Sequence, residues 1–256
     1  MTLVDSQPNS QEIKIAATAI IEDGVEIGPG TSIGEYSIIR SGTRIGAGNI
    51  IGPHVIIGEA PQDTSYRSET SYVEIGDYNI IREFSSIHKA TGEGEVTKLG
   101  NNNFLMVNSH LGHNSVVGNN TTMANNACLG GHVSVEDQVT IGGSSVVHQH
   151  CRLGKHMMLA GQSASNHDLL PFMVYVGTPA CSVSTNRVGL KRNGISQKAL
   201  SELMRAYKII YGAERLSHDN MMSKLENELE QLDEVKYLIN FIKESKRGIA
   251  RGVYRK

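Results

Sequence analysis

The sequence predicts a mainly β protein, a prism of stacked parallel β coils followed by a C-terminal α-helical subdomain. Three observations carry this reading. An aliphatic residue recurs at every sixth position through most of the stretch from Ile15 to Leu159. Glycine follows that residue often, at Gly28, Gly34, Gly46, Gly52, Gly76, Gly100, Gly112 and Gly118 among others. Beyond about Leu170 the hexads stop and an apolar period of helical length replaces them.

The hexads come first in the chain. They run Ile15, Ile21, Ile27, Ile33, Ile39, Ile45, Ile51 and Ile57, resume with Ile75, Ile81 and Ile87, and continue from Leu99 through Leu159 without a polar exception. A period of six fits a short strand plus a tight corner, with one aliphatic side chain pointing inward per corner. Three hexads close an 18-residue triangular coil. Coils stacked at the ~4.8 Å strand spacing build a prism, and each coil buries its inward side chains only against its neighbours. Glycine after the aliphatic is expected to supply corner dihedrals. The absence of Trp and the count of four Phe agree with a core of small branched residues.

Two segments leave the period near 58–74 and 89–98, and the phase then restarts. They are read as loops ejected from the prism, where function often sits. The prism is assigned to residues 1–190 and the helical subdomain to 191–256. Within the latter, Leu200, Leu203, Tyr207 and Ile210 form one stripe, and Ser196 and Asp233 are expected N-caps. The tail from Lys243 to Lys256 holds six basic residues against one acid. It is either a solvated end or an anionic-partner patch, with Lys243, Lys246, Arg247 and Arg251 as its candidates.

Composition narrows the classes. A formal net charge of −2 over 256 residues offers no global basic field for nucleic acid. No run approaches a membrane helix, and the first twenty residues lack the pattern of a secretory signal. The three cysteines show no metal spacing and read as reduced thiols of a cytoplasmic protein.

The chemistry concentrates in 108-NSHLGHNSVVG-118. An 18-residue step places Asn114, His132 and His150 in one column, and His113, Gly131 and Gln149 in the next. His110 stacks with Cys128 and Val146, with His148 nearby. His54, His88 and His156 fall elsewhere. A lone corner imidazole is usually solvated, but this cluster, flanked by Asn108, Asn125 and Asn126, looks like a site shared with a neighbouring subunit. Zinc is disfavoured, since no acid lies in the column and the His–x–x–His pair sits on an extended corner. No acid follows His113 to make a triad. A histidine general base acting on a hydroxyl or amine remains.

The hexad pattern resembles the hexapeptide-repeat family, the left-handed parallel β-helices. The handedness comes from that resemblance, since general chain physics favours the opposite crossover. The segments GEAPQD, YVEIGDYNIIRE, SHLGHN, ANNACLGGHVSVED, IGGSSVVHQH, GLKRNG and AYKIIY, in this order, resemble one branch over nearly the whole chain. That branch is the acyl-[acyl-carrier-protein]–UDP-N-acetylglucosamine O-acyltransferases of lipid A synthesis.

The resemblance implies a homotrimer without metal or redox cofactor, taking an (R)-3-hydroxyacyl group from acyl carrier protein. It implies His113 as the base and the Gly131 N–H as oxyanion donor. It further implies substrate contacts at Gln62, Asp63, His110, Asn125, His132, His148 and Gln149, an acyl-length limit at Gly161, and Asn186 and Arg192 near the uridine diphosphate. The chain departs from the family at Asn114, where the usual residue is Asp. It departs again at Ser65, Val188 and Asn193. With Asn114 either the base is weaker or another carboxylate assists, and an Asn114→Asp exchange is expected to leave activity equal or higher. Two alternatives stay open: an N-acyltransferase on a UDP-amino sugar, and a non-catalytic hexapeptide scaffold.

Overall fold

The computed structural model describes residues 11–213 and 216–253. The ends of the two expected domains, residues 1–10 and 254–256, lie outside them. Short parallel strands stack into three faces. Face one runs from Lys14–Ile15 to Met158–Leu159, face two from Ile20–Ile21 to Ala164–Ser165, and face three from Glu26–Ile27 to Arg152–Leu153. Each strand pairs with the one a full coil further on, as His110 does with Cys128 and Cys128 with Val146. The winding is that of a left-handed parallel β-helix.

The hexad aliphatics fill the core. Ile39, Ile57, Ile81, Ile87, Leu105, Leu111 and Leu129 are all fully buried. Ile15 is 45% exposed, because it belongs to the first described coil and, among the described residues, has a neighbouring coil on one side only. Buried polar side chains line the inside of a corner as a ladder. Asn49, Asn79 and Asn103 each donate to a backbone carbonyl one coil on, so none is left unpaired.

Glycine acts differently from the expectation. The left-handed corner residue stands three after the aliphatic and is usually not glycine: Tyr36, His54, Tyr78, Asn102, Asn114, His132 and His150 all have φ between 57° and 64°. The glycine directly after the aliphatic is required by close coil-to-coil approach. A Cβ at Gly28 would lie 2.5 Å from the Gly46 carbonyl carbon, and one at Gly112 2.7 Å from that of Gly130.

Both insertions leave at the corner between faces two and three. Ile45 pairs with Ile75, 30 residues on, and Ile75 with Leu99, 24 residues on. Against an 18-residue coil these are insertions of 12 and 6, whole hexads, so the phase survives. The loops are shorter than read from sequence, because Tyr72–Ile75 and Val96–Leu99 are already paired on face three.

The last coil is closed by an antiparallel hairpin, Met173–Val176 with Cys181–Thr185. Helix α1 (Arg187–Arg192) starts four residues before the expected boundary, and α2 (Gln197–Tyr211), α3 (His218–Asn227) and α4 (Asp233–Glu244) follow. Ser196 caps α2, its side chain accepting from the Ala199 N–H. Asp233 is not a cap. It lies in the first turn of α4, where its charge suits the helix dipole, and Leu232 holds the cap position without a side-chain bond. The chain then returns to the prism: Asp168 bridges to Ile249, and its carboxylate accepts from Ser245.

Candidate active site

The corner where both loops leave is the corner that holds His113. On it the Asn114 side chain is pinned twice by Thr91 of the second loop. Asn114 Oδ1 accepts from the Thr91 N–H at 2.9 Å, and Asn114 Nδ2 donates to the Thr91 carbonyl at 3.0 Å. This pairing sets which way the amide faces. The same Oδ1 lies 2.9 Å from His113 Nδ1, so Nδ1 carries the proton and Nε2 presents a lone pair. The ring lies over the backbone of the next coil: a Cβ at Gly131 would stand 2.4 Å from His113 Nε2.

The Gly131 N–H is open. At another corner the equivalent N–H groups are closed by side chains one coil on, Ala47 donating to Asp77, Asp77 to Asn101 and Asn119 to Asp137. One coil beyond Gly131 stands Gln149, and no bond from the Gly131 N–H occurs among the described residues. A basic nitrogen and a free backbone donor therefore face one space. That pair suits deprotonation of a nucleophile and stabilisation of an oxyanion.

The space is a cleft of about 390 Å³, lined by Gln62, His88, His110, His113, Gly131, His148 and Gln149 among others. His132 flanks it, edge-on to His113 at 5.2 Å and stacked on His150 at 4.6 Å. Burial, with His150 and His113 adding to it, lowers the His132 pKa. Asp63 sits on the first loop. The Ser65 N–H holds its carboxyl below the usual range, followed by the Ser65 and Thr91 hydroxyls and the charge of His113.

His110 is the most perturbed imidazole of the seam. Burial, then His88 and His113, push it down to about 4. Its Nδ1 lies 2.8 Å from the Ser86 hydroxyl. The neutral ring is a hydrogen-bonding group rather than a charge. A depressed folded pKa favours the unfolded state once the unfolded imidazole protonates. Stability is therefore full above about pH 6.5 and falls by on the order of 3 kcal/mol as pH drops toward about 4. We expect His110→Gln to shrink the difference between urea melts at about pH 7.5 and 4.5 by most of that amount. An unchanged difference would place the acid sensitivity in other groups.

His88 was set apart in the sequence and belongs here. It meets His110 edge-on at 4.9 Å, is 7% exposed, and its Nδ1 has no hydrogen-bond partner among the described residues. Its signal was readable: Ile87 pairs with Leu111 across the 24-residue step, which puts His88 level with Gly112. Thr91 gave no such signal, because its contact with Asn114 is made by main-chain groups.

Four expected residues do not join this cleft in one chain. Asn125 and Gly161 stand on the corner between faces one and two, where the Ser144 N–H donates to Asn125 and the Gln162 N–H to Gly143. Asn186 caps α1 and donates to the His156 carbonyl, at the corner between faces three and one. Arg192 is exposed at the end of that helix. Among the described residues, no three His, Cys, Asp or Glu side chains are grouped to hold a metal ion.

A hexad β-helix with a histidine clasped beside an open backbone donor defines a transferase of the hexapeptide class. Residues 24–59 and 97–131 match the family described as bacterial transferase hexapeptide (six repeats). Residues 168–250 match the second domain of the UDP N-acetylglucosamine O-acyltransferases. The chain belongs to the acyl-[acyl-carrier-protein]–UDP-N-acetylglucosamine O-acyltransferase family. It is 43% identical to the Myxococcus xanthus member over 196 residues, 76% of each chain. It is 41% identical to that of Thiobacillus denitrificans, again over 76% of each. Among solved structures, LpxA of Acinetobacter baumannii superposes with a TM-score of 0.84 at 34% identity, covering 93% of this chain and 99% of that one. The Campylobacter jejuni UDP-N-acetylglucosamine acyltransferase gives 0.77 at 34%, covering 94% and 100%.

Proposed function

We propose that this protein transfers an (R)-3-hydroxyacyl group from acyl carrier protein to the 3-hydroxyl of UDP-N-acetylglucosamine, the first step of lipid A biosynthesis. The observation that carries it is the pairing of the His113 Nε2 lone pair with the open Gly131 N–H in one cleft. Nε2 takes the proton from the sugar hydroxyl as its oxygen attacks the thioester carbonyl. The Gly131 N–H receives the oxyanion, and collapse expels the carrier thiolate. Asn114 orients the base. Gln62, Asp63, His110, His132, His148 and Gln149 line the path of the substrate. The deciding assay offers the purified protein carrier-bound 3-hydroxyacyl thioesters with UDP-N-acetylglucosamine or its 3-amino analogue, and weighs the products. An acylated analogue alone would favour the N-acyltransferase reading. No product from either would leave the scaffold reading.

The working unit we propose is a homotrimer in the cytoplasm. Asn125 and Gly161 sit on another corner, and Asn186 and Arg192 at helix α1, so in this reading a second copy brings them to the cleft. Among the described residues no helix is long and apolar enough to cross a membrane. The prism, taken as 1–190, carries the transfer, and the helical part, taken as 191–256, receives the carrier protein. Of the four basic residues expected to dock it, Lys243 pairs with Glu226 and Arg247 donates to the Asn166 carbonyl. Lys246 and Arg251 remain exposed. Reversing those two charges should raise the apparent KM for the carrier-bound donor about tenfold and flatten its salt dependence. An unchanged KM would return the tail to a solvated end.

Gly161 is proposed to bound the acyl chain. It follows His113 by 48 residues, two coils plus two-thirds of a third, which is roughly 13 Å along the prism at ~4.8 Å per coil. The two-thirds turn places it on another corner, so the chain runs in a groove that a second copy closes. At about 1.3 Å per carbon, ten carbons span the gap and the thioester end adds a few, giving roughly ten to fourteen. Gly161 is exposed, and an added Cβ would meet only Gly143, with its oxygen at 3.3 Å. Gly161→Met should therefore fold and shift preference to shorter donors by several carbons. Superimposable kcat/KM profiles over C10 to C16 donors would show that the chain ends elsewhere.

A further inference from the structure

We propose that Thr91 is a positioning residue for the base, holding Asn114 with its main chain and linking His113 to Asp63 through its hydroxyl. This rests on the reading of His113 as the base. The main-chain clasp uses both halves of the Asn114 amide. Aspartate in that place accepts from the Thr91 N–H and from His113 Nδ1, but it has no hydrogen to give the Thr91 carbonyl. Its second oxygen would face that carbonyl at the 3.0 Å now spanned by a donated bond. Asparagine is thus the residue this loop requires.

The clasp is built on a held frame. Ser71 donates to the Ala90 carbonyl at 2.5 Å, the Gly92 N–H donates to Glu69 at 2.9 Å, and the Thr70 N–H to Glu93 at 3.0 Å. The first loop therefore fixes the second, on both sides of Thr91. The Asn114 N–H is itself held by Thr97 Oγ1 at 2.8 Å.

The hydroxyl supplies what the amide lacks. Thr91 Oγ1 lies 3.5 Å from His113 Nδ1, a second and weaker acceptor for the same proton. It also stands by the Asp63 carboxylate and, after the Ser65 groups, helps to hold that acid ionised. Thr91 Oγ1 thus stands between Nδ1 and the Asp63 carboxylate, and the proposed link runs through this one hydroxyl. The negative charge absent from position 114 comes from the first loop.

The test uses the full-length protein. Thr91→Val removes the hydroxyl and keeps the shape. It should lower kcat about tenfold while leaving KM for UDP-N-acetylglucosamine within about twofold, and Thr91→Ser should restore the rate. Asn114→Asp should be slower than the parent by about threefold or more, the reverse of what the family pattern alone suggests. A Thr91→Val enzyme as fast as the parent overturns the hydroxyl link, and so does a Ser variant that fails to recover. An Asn114→Asp enzyme as fast as the parent overturns the clasp. In the unsubstituted protein, ¹⁵N spectra of the histidine rings, with His113→Ala to identify the signal, should show His113 protonated on Nδ1 when neutral. Protonation on Nε2 overturns the arrangement, and this reading requires neither turnover nor a folded Thr91 variant. Absence of product from the parent enzyme would instead refute the proposed reaction.

Discussion

His113→Ala should lose between about 10² and 10⁴ of turnover and keep its fold. The ring is half-buried at a corner, and its neighbours do not depend on it. Asn114 stays clasped by Thr91, and the His132 N–H still donates to the residue 113 carbonyl. What vanishes is the nitrogen lone pair held over Gly131. His110 cannot replace it, because burial makes that ring a weak base and its Nδ1 is occupied by Ser86. The measurement is kcat with saturating donor and acceptor, beside melting temperature and elution volume. A variant that keeps more than about a tenth of the rate would remove His113 from the mechanism.

Gly131→Ala is expected to be nearly as damaging, at about 10² in kcat, although it deletes nothing. The backbone angle is no obstacle, since Gly131 is not among the left-handed residues. The obstacle is the ring. A methyl group would come within 2.4 Å of Nε2 and 2.6 Å of Cε1, so the imidazole must swing away. The Gly131 N–H survives the exchange, which separates loss of the proposed base's position from loss of the proposed oxyanion donor. A shift of about 1 Å in a reacting group costs this much in rate. The variant should melt close to the parent, because a ring at a half-exposed corner can yield where a coil cannot. Turnover within about threefold of the parent would show that the base does not work from this place.

Much of the prism was legible because its rules are local. From Ile33 onward every hexad aliphatic is buried, while Ile15 is exposed and Ile21 and Ile27 half-buried in the first described coil, which among the described residues has a neighbour on one side only. The column arithmetic brought His113, Gly131 and Gln149 to one edge, and His110 beside Cys128, from a repeat length alone. Where insertions broke the count, the reading faltered. His88 was set aside because a 24-residue step was not carried across its loop. The glycines were noticed for a real reason and given the wrong one. Their spacing reports how closely coils stack, whereas the left-handed corner is taken by Asn, His and Tyr.

The sequence offered the proposed site as a list of residues and not as an arrangement. Asn125 and Gly161 are sent by the triangular coil to another edge of the prism, and Asn186 and Arg192 belong to helix α1. Asn114 looked like a weakened aspartate. Only in three dimensions does it become the residue that a loop 23 positions away holds by both halves of its amide.

The sequence by itself determined the coil, its core and the edge on which the histidines gather, because an 18-residue repeat turns position in the chain directly into position on a face. The tertiary structure alone decided the tautomer of His113, the openness of the Gly131 N–H and the meaning of Asn114. Those depend on main-chain groups of ejected loops. Main-chain donors and acceptors are the same for every residue type, so no side-chain pattern announces them.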